Sequence, residues 1–286
     1  MSSGMLFVII TALCFTTHEP VSKLFAEAIN PYAVTALRFF LVSFILLPFT
    51  FFEMKKKKVK LSLKDWGVVT GLGILFICVS MVLLQVAVKI GDSPALIAII
   101  FSSNSIITIA MSAIFLDNKL NRTKIIGIVL CVIGVLVSAD LSKGSNLLSV
   151  VLAILAAFTF STYTILCKKY TVRISGVIQS GLTFFIGSIL LIIALMFLKV
   201  DLVGGISPSN IWLLLYVGFI VTGVGYWAYF AAMKKGGPQI AAIAFLIKPI
   251  LTPIATFFIN GIKPEGNVIL SLILVVIGSI MCSRNK

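Results

Sequence analysis

The sequence predicts an all-α polytopic membrane protein with ten transmembrane helices, arranged as two inverted five-helix repeats. Three observations predict this. Of 286 residues, 60% are hydrophobic and only 11% are charged, with a mean hydropathy of +1.17. Soluble domains are about 25% charged and 45–50% apolar, which excludes a soluble enzyme, a disordered chain and a collagen-like fibre. The apolar residues also form long unbroken runs, unlike the short alternating segments of a β-barrel. Finally, the two halves echo one another. Ten spans of roughly 20–23 residues use about 220 residues, leaving room only for short connections.

The ten helices follow from apolar runs bounded by charges or turn residues. Helix one (4–25) contains His18-Glu19-Pro20 and ends near Lys23, the first positive charge in the chain. A signal peptide carries basic residues before its apolar core, so this segment is expected to be a retained span. Helix two (32–52) opens after Asn30-Pro31 and stops at Glu53. A basic connection with Lys55, Lys56, Lys57, Lys58, Lys60 and Lys64 leads to Asp65 and helix three (66–88). Lys89, Gly91 and Ser93-Pro94 separate it from helix four (94–116). Lys119, Arg122 and Lys124 precede helix five (124–139), and Lys143 precedes helix six (146–167). Lys168, Lys169 and Arg173 introduce helix seven (174–198), which Lys199 closes. Helix eight (210–233) ends at Lys234-Lys235-Gly236-Gly237-Pro238, where helix nine (239–260) begins. Lys263 separates helix nine from helix ten (266–282), and Arg284 and Lys286 follow.

Charge placement gives direction. Sixteen of the 23 Lys and Arg fall on the side that holds both termini, five fall opposite, and Arg38 and Lys248 lie inside spans. The positive-inside rule puts both termini in the cytoplasm of a bacterial inner membrane. The net charge of +14 therefore reads as a topology signal and an anionic-lipid contact. No aromatics are interleaved with the lysine run, so nucleic acid is not an expected partner. Cys14, Cys78, Cys131, Cys167 and Cys282 share no metal-ligand or CxxC spacing and read as small buried hydrophobes. No metal or cofactor is expected.

The repeat carries the functional signal. Ala87-Val88-Lys89-Ile90-Gly91 followed by Ser93-Pro94-Ala95 is echoed by Ala232-Met233-Lys234-Lys235-Gly236-Gly237 followed by Pro238. Gly73 matches Gly218, Gly127 and Gly134 match Ser271 and Gly278, and Phe15-Thr16 matches Phe158-Thr159. Residues 1–143 and 144–286 form the two repeats. Each holds an odd number of spans, so the second enters the membrane upside down. Inverted repeats are a recurring plan of secondary transporters, with the substrate near the midplane between the halves.

The chain also resembles a known family. Ala12-Leu13-Cys14-Phe15, Asn30-Pro31 with Ala36-Leu37-Arg38-Phe39, Ala87-Val88-Lys89 with Ala95, and Leu116-Asp117 with Gly127 and Gly134 resemble the EamA family of the drug/metabolite transporter superfamily. The resemblance covers nearly the whole chain. It implies helices one to four and six to nine around a central cavity, and transport of amino acids, related metabolites or drugs. The family often has Trp where Phe15 stands. Its Gly-Glu ending after helices four and nine is Asp117-Asn118 and Gly261-Ile262 here, and His18-Glu19-Pro20 is an unusual polar insertion.

Ionisable groups inside spans cost about 2.5–3.5 kcal/mol each on insertion scales and are functional by default. Glu19 lies roughly 22 Å from the inner end of helix one, and Arg38 about 21 Å from the inside along helix two. An ion pair between them is one reading, and Glu19 facing a cationic substrate group or a proton is the other. His18 could relay a proton or serve as a hydrogen-bonded structural residue. Lys248, roughly 14 Å along helix nine, lines the cavity or reaches Glu19. Pro20, Pro249 and Pro253 free carbonyls at Thr16, Phe245 and Pro249, marking cavity or hinge positions. Arg38, Pro20 and Pro249 are assigned structural or gating roles. Asn104 and Ser105 occupy the repeat positions of Lys248 and Pro249. Gln85, Tyr163, Tyr226 and Trp227 complete the candidate substrate contacts, with Tyr226-Trp227 suited to stacking on a ligand.

The expected function is secondary active transport of a small amphipathic metabolite, an amino acid or a similar compound, by alternating access. Lys248 would meet its carboxylate and Glu19 its ammonium. Protons are the candidate coupling ion, and a monomer or weak homodimer is expected. The alternatives are an exporter of cationic drugs, a passive channel and an intramembrane lipid-modifying enzyme. The sequence shows no P-loop, nucleophile elbow or metal-spaced cluster for catalysis.

Overall fold

A computed structural model describes residues 3–115, 121–138, 146–170 and 174–283. Lys119, Lys143, Arg173, Arg284, Lys286 and the Leu116-Asp117-Asn118 stretch lie outside the described residues, as does the side chain of Cys282. Every regular element among the described residues is helical. The first half runs α1 (Ser3–Thr16), α2 (His18–Leu24), α3 (Pro31–Lys56), α4 (Leu63–Gly73), α5 (Val82–Ile90), α6 (Pro94–Ser102), α7 (Asn104–Phe115) and α8 (Arg122–Ser138). The second runs α9 (Leu147–Tyr170), α10 (Gly176–Phe197), α11 (Ile211–Leu215), α12 (Gly225–Asn260) and α13 (Gly266–Ser283).

Local chemistry starts these helices. Asn30 accepts from the Tyr32 N–H at 2.9 Å, and Pro31 occupies the first turn of α3, where its missing N–H costs nothing. Ser62 and Asp65 form a reciprocal capping box on α4. The Ser93 and Ser175 side chains cap α6 and α10.

Eight helical stretches are long and apolar enough to cross a membrane: Gly4–Leu24, Pro31–Lys56, Leu63–Ile90, Pro94–Met111, Leu147–Cys167, Val177–Phe197, Ile211–Ala232 and Ile243–Asn260. They coincide with the expected helices one to four and six to nine. The expected fifth and tenth helices are present as α8 and α13, but their apolar stretches are shorter, with 17 residues in all of α8. These two pack against each other. Gly134 permits this, since a Cβ there would sit 3.0 Å from Leu274 and Val275. Their outer faces, including Ile125, Val129, Leu136, Ile273 and Ile277, are exposed, as a lipid-facing surface requires.

Four spans depart from plain α-helix. Helix one breaks at Thr17, immediately before His18, where Pro20 cannot donate to the Thr16 carbonyl. Helix four breaks at Ser103 without a proline. There Ser102, Ser103, Asn104 and Ser105 each donate a side-chain hydrogen bond to a carbonyl three or four residues back, competing with the helical ladder. Helices three and eight carry π-helical segments, Ile74–Met81 and Tyr216–Val224. Thr222 Oγ1 donates to the carbonyl of Val217, five residues back, at 2.8 Å. The same irregularity thus recurs in the third helix of each half, beside the matched Gly73 and Gly218, and π segments concentrate at functional sites.

The expected reversal between helices eight and nine lies within α12. The Tyr229 and Phe245 ring centroids are 5.8 Å apart, whereas 16 residues of straight helix would separate them by roughly 24 Å. The chain therefore folds back between them.

Packing between the halves is reciprocal. The α1–α2 unit lies against α12, and α9 lies against α5, α6 and α7, while α3 packs on α10. Phe15, Phe39 and Phe76 from the first half meet Phe160, Tyr163, Phe184, Tyr226 and Phe245 from the second in one aromatic core. Near one end of this core the backbones of α4 and α10 touch. A Cβ on Gly73 would stand 3.0 Å from the Thr183 carbonyl and 3.1 Å from the Gly187 nitrogen. Neither neighbour is a side chain that can swing away. Gly73→Val is therefore expected to cost about 1–3 kcal/mol, read as a lower thermal unfolding midpoint in detergent.

Candidate functional site

The helix breaks place four ionisable side chains at one point between the halves. Ending α1 at Thr17 restarts the chain as α2, with His18 and Glu19 both buried in its first turn. The Thr17 hydroxyl meets the Tyr216 hydroxyl at 2.9 Å, tying this break to the start of the second π segment. Asn260 Nδ2 donates to the Pro20 carbonyl at 3.1 Å, which fixes α2 against the far end of α12.

Lys248 reaches across from α12, and its Nζ lies 2.5 Å from Glu19 Oε1, with side-chain exposures of 3% and 0%. Its ammonium also sits 5.3 Å from the Phe101 ring centroid. Of the two sequence readings for Lys248, the geometry combines both: it lines the hollow and pairs with Glu19. Arg38 does not pair with Glu19. Its Nη1 donates to His18 Nε2, and its guanidinium carbon lies 4.8 Å from the Phe39 ring centroid. Arg38 and Glu19 do share a level, but successive residues on a helix point about 100° apart. His18 thus turns to α3 while Glu19 turns to α12.

The hydrogen bonds define the charges. Arginine has donors only, so His18 Nε2 accepts and the imidazole is neutral, with its proton on Nδ1. That nitrogen faces Glu19 Oε1 at 3.5 Å. The network therefore runs Arg38, His18, Glu19, Lys248, with one negative and two positive charges. Glu19 Oε2, Arg38 Nε and Arg38 Nη2 are buried without a hydrogen-bond partner among the described residues.

These groups border a small cavity of about 30 Å³, lined by Phe15, His18, Arg38, Met81, Leu84 and Phe101 from one half. Val221, Thr222, Tyr226, Phe245 and Lys248 line it from the other. It has room for a water molecule or two. Ligand sites of drug-sized molecules run to roughly 300 Å³ and more, so the walls must part to admit a substrate.

Of the sequence candidates, His18, Arg38, Lys248 and Tyr226 line the cavity, and Glu19 stands directly behind Lys248. Pro20 and Pro249 are buried in the same helices. Asn104 and Ser105 lie at the helix-four break, where Asn104 Nδ2 donates to Phe101 and its carbonyl accepts from Ser161 Oγ at 2.7 Å. They shape the wall rather than face the cavity. Tyr163 stacks on Phe76 at 4.5 Å within the aromatic core. Gln85 is buried beside Leu84, its Oε1 without a partner among the described residues. Trp227 is the clear departure: it is 51% exposed and packs edge-on against Phe7. Adjacent helical positions diverge, so a half-buried Tyr226 packed against the core turns Trp227 outward. The residues that sequence reasoning missed are Phe15, Met81, Leu84, Phe101, Val221, Thr222 and Phe245. The repeat match at Phe15-Thr16 marked the first. A hydroxyl between Gly218 and Gly223 could have marked Thr222.

Comparison with known proteins agrees with this architecture. Residues 2–139 and 147–284 each match the family model described as the EamA-like transporter family. An uncharacterized transporter of Clostridium kluyveri is 33% identical over 100% of this chain and 95% of its own length. A probable amino-acid metabolite efflux pump of Salmonella typhimurium is 25% identical, covering 96% of this chain and 91% of its own. The protein of the same description from Escherichia coli is 26% identical, with the same coverage. A protein of known crystal structure superposes with a TM-score of 0.70 at 17% identity, covering 98% of this chain and 96% of its own. That likeness concerns the fold alone.

Proposed function

The chain belongs to the EamA-like transporter family, and from that premise we propose that it exports a small amphipathic metabolite, an amino acid or a close relative, by alternating access. The observation that carries this reading is a buried charged network beside a cavity with walls from both halves. Charges at this depth are retained for substrate or ion handling. The two relatives named as amino-acid metabolite efflux pumps support the substrate class and the direction.

In this reading residues 1–143 and 144–286 are inverted repeats of five spans each, with both termini cytoplasmic in the inner membrane. The halves rock about the aromatic core. The breaks at Thr17 and Ser103 and the two π segments supply the points where the walls give way. Cavity groups that lack partners wait for polar groups of the substrate. Saturable counterflow in proteoliposomes tests the transport claim: preloaded amino acid should accelerate uptake of labelled amino acid. Uptake that is linear in concentration and indifferent to preloading would point to a channel.

Glu19 is also the proposed proton site. Protonating it would release Lys248 and let the network rearrange. Counterflow by the wild type should then depend on pH, and Glu19→Gln should show a flat pH profile. An unchanged profile in Glu19→Gln would remove the proton role.

A further inference from the structure

We propose that the cavity selects a substrate of one net negative charge, an apolar or aromatic monocarboxylate, and that Arg38 is the residue that anchors it. This rests on the transporter reading above and narrows its substrate, from amino acids and their relatives to those relatives that carry a carboxylate without an ammonium.

Charge is the first argument. Glu19 is the only buried carboxylate among the described residues, and it shares the network with two buried cations, Lys248 bonded to it and Arg38 bonded to His18. His18 accepts from Arg38 and so contributes no charge. The site carries one uncompensated positive charge in surroundings that screen it weakly. A bound monoanion restores neutrality. A neutral molecule leaves the charge in place, and a cation doubles it.

Geometry is the second. Arg38 is 2% exposed and lines the cavity. One edge of its guanidinium is held by His18 and its face by Phe39. The remaining donors, Nε and Nη2, have no partner among the described residues. These two nitrogens form one edge of the planar fork, the geometry that binds a carboxylate through two parallel hydrogen bonds. Lys248, in contrast, is already committed to Glu19. Glu19 bonds Lys248 through Oε1 and is not among the residues that line the cavity, so it is a counter-ion for Lys248 rather than a seat for a substrate ammonium.

The remaining wall sets the other half of the substrate. Phe15, Met81, Leu84, Phe101, Val221 and Phe245 are apolar, and the Phe15, Tyr226 and Phe245 rings lie 5–6 Å from their neighbours. Once the walls part, this lining suits an aliphatic or aromatic body with its carboxylate toward α3.

Four probes of matched shape test this by calorimetry on purified protein in nanodiscs: 3-phenylpropionate, L-phenylalanine, 3-phenylpropionamide and phenethylamine. The carboxylate should bind at least tenfold tighter than the amide, with phenylalanine between them and the amine weakest. Arg38→Met should erase the gap between carboxylate and amide, and Arg38→Lys should keep part of it. Equal affinity for carboxylate and amide, or strongest binding of the amine, would overturn the proposal. The wild-type order decides this even if a variant fails to fold. Counterflow separates it from the transport claim. A correct binding order without counterflow would leave the site standing and remove the transporter reading. Counterflow with a flat binding order would do the reverse.

Discussion

Replacing Lys248 with alanine is expected to lower stability by about 3–5 kcal/mol and to abolish transport. The magnitude is that of breaking a buried ion pair by removing one partner. Glu19 would be left fully buried, its Oε1 without the ammonium now 2.5 Å away and its Oε2 already unpartnered. The thermal midpoint in detergent and counterflow in proteoliposomes read the two effects separately. A double replacement, Glu19→Leu with Lys248→Met, should recover most of the stability, since an apolar pair of similar volume can substitute for a buried salt bridge. It should not recover transport. Full transport by the double variant would mean that the pair serves only the fold.

Arg38→Met is expected to act in the opposite sense on stability. Arg38 keeps two buried donors without partners among the described residues, and an unsatisfied buried polar group costs about 1–3 kcal/mol. Methionine fills similar volume and removes both orphaned donors, against the one donor that buried His18 Nε2 loses, so the ligand-free protein should become more stable by about 1 kcal/mol. Binding of a carboxylate ligand should fall at least tenfold, consistent with about 1.5–3 kcal/mol for a hydrogen bond to a charged group. Two buried cations in the same charged network would thus show opposite stability effects. The distinction arises because Lys248 has a carboxylate partner and Arg38 has only a neutral one. A large destabilisation by Arg38→Met would place it with Lys248 as a structural charge.

Much of this arrangement was legible in the sequence because hydrocarbon burial leaves a strong signal. Long apolar runs fix the spans, and an ionisable residue within a run cannot be incidental. The sequence therefore singled out Glu19, Arg38, Lys248 and His18, and rise per residue put Glu19 and Arg38 at one depth. It could not choose their partners. Which of His18 and Glu19 meets Arg38 depends on the rotation of a seven-residue helix that begins at the Thr17 break. Pro20 announced that break, whereas the break at Ser103 arises from four consecutive polar side chains bonding backward. The π segments were invisible, because apolar composition is the same whether the backbone closes on the fourth or the fifth residue back. The Tyr226-Trp227 pair shows the same limit. Both are aromatic, and only the helix rotation puts one in the core and the other at the surface. The short α8 follows from the sequence: 124–139 is the briefest of the expected spans, and α8 packs across the halves on α13.

The central claim is that two similar halves, oppositely oriented, enclose the charged cavity. Site-directed labelling tests it most directly. Single cysteines in a cysteine-free background would replace Asp92, after the third helix of the first half, and Lys235, after the third helix of the second. Both positions are exposed. A membrane-impermeant maleimide applied to intact cells should label Asp92→Cys, while Lys235→Cys should react only after the membrane is opened. Labelling of both positions from the same side would place the halves in one orientation and contradict the account.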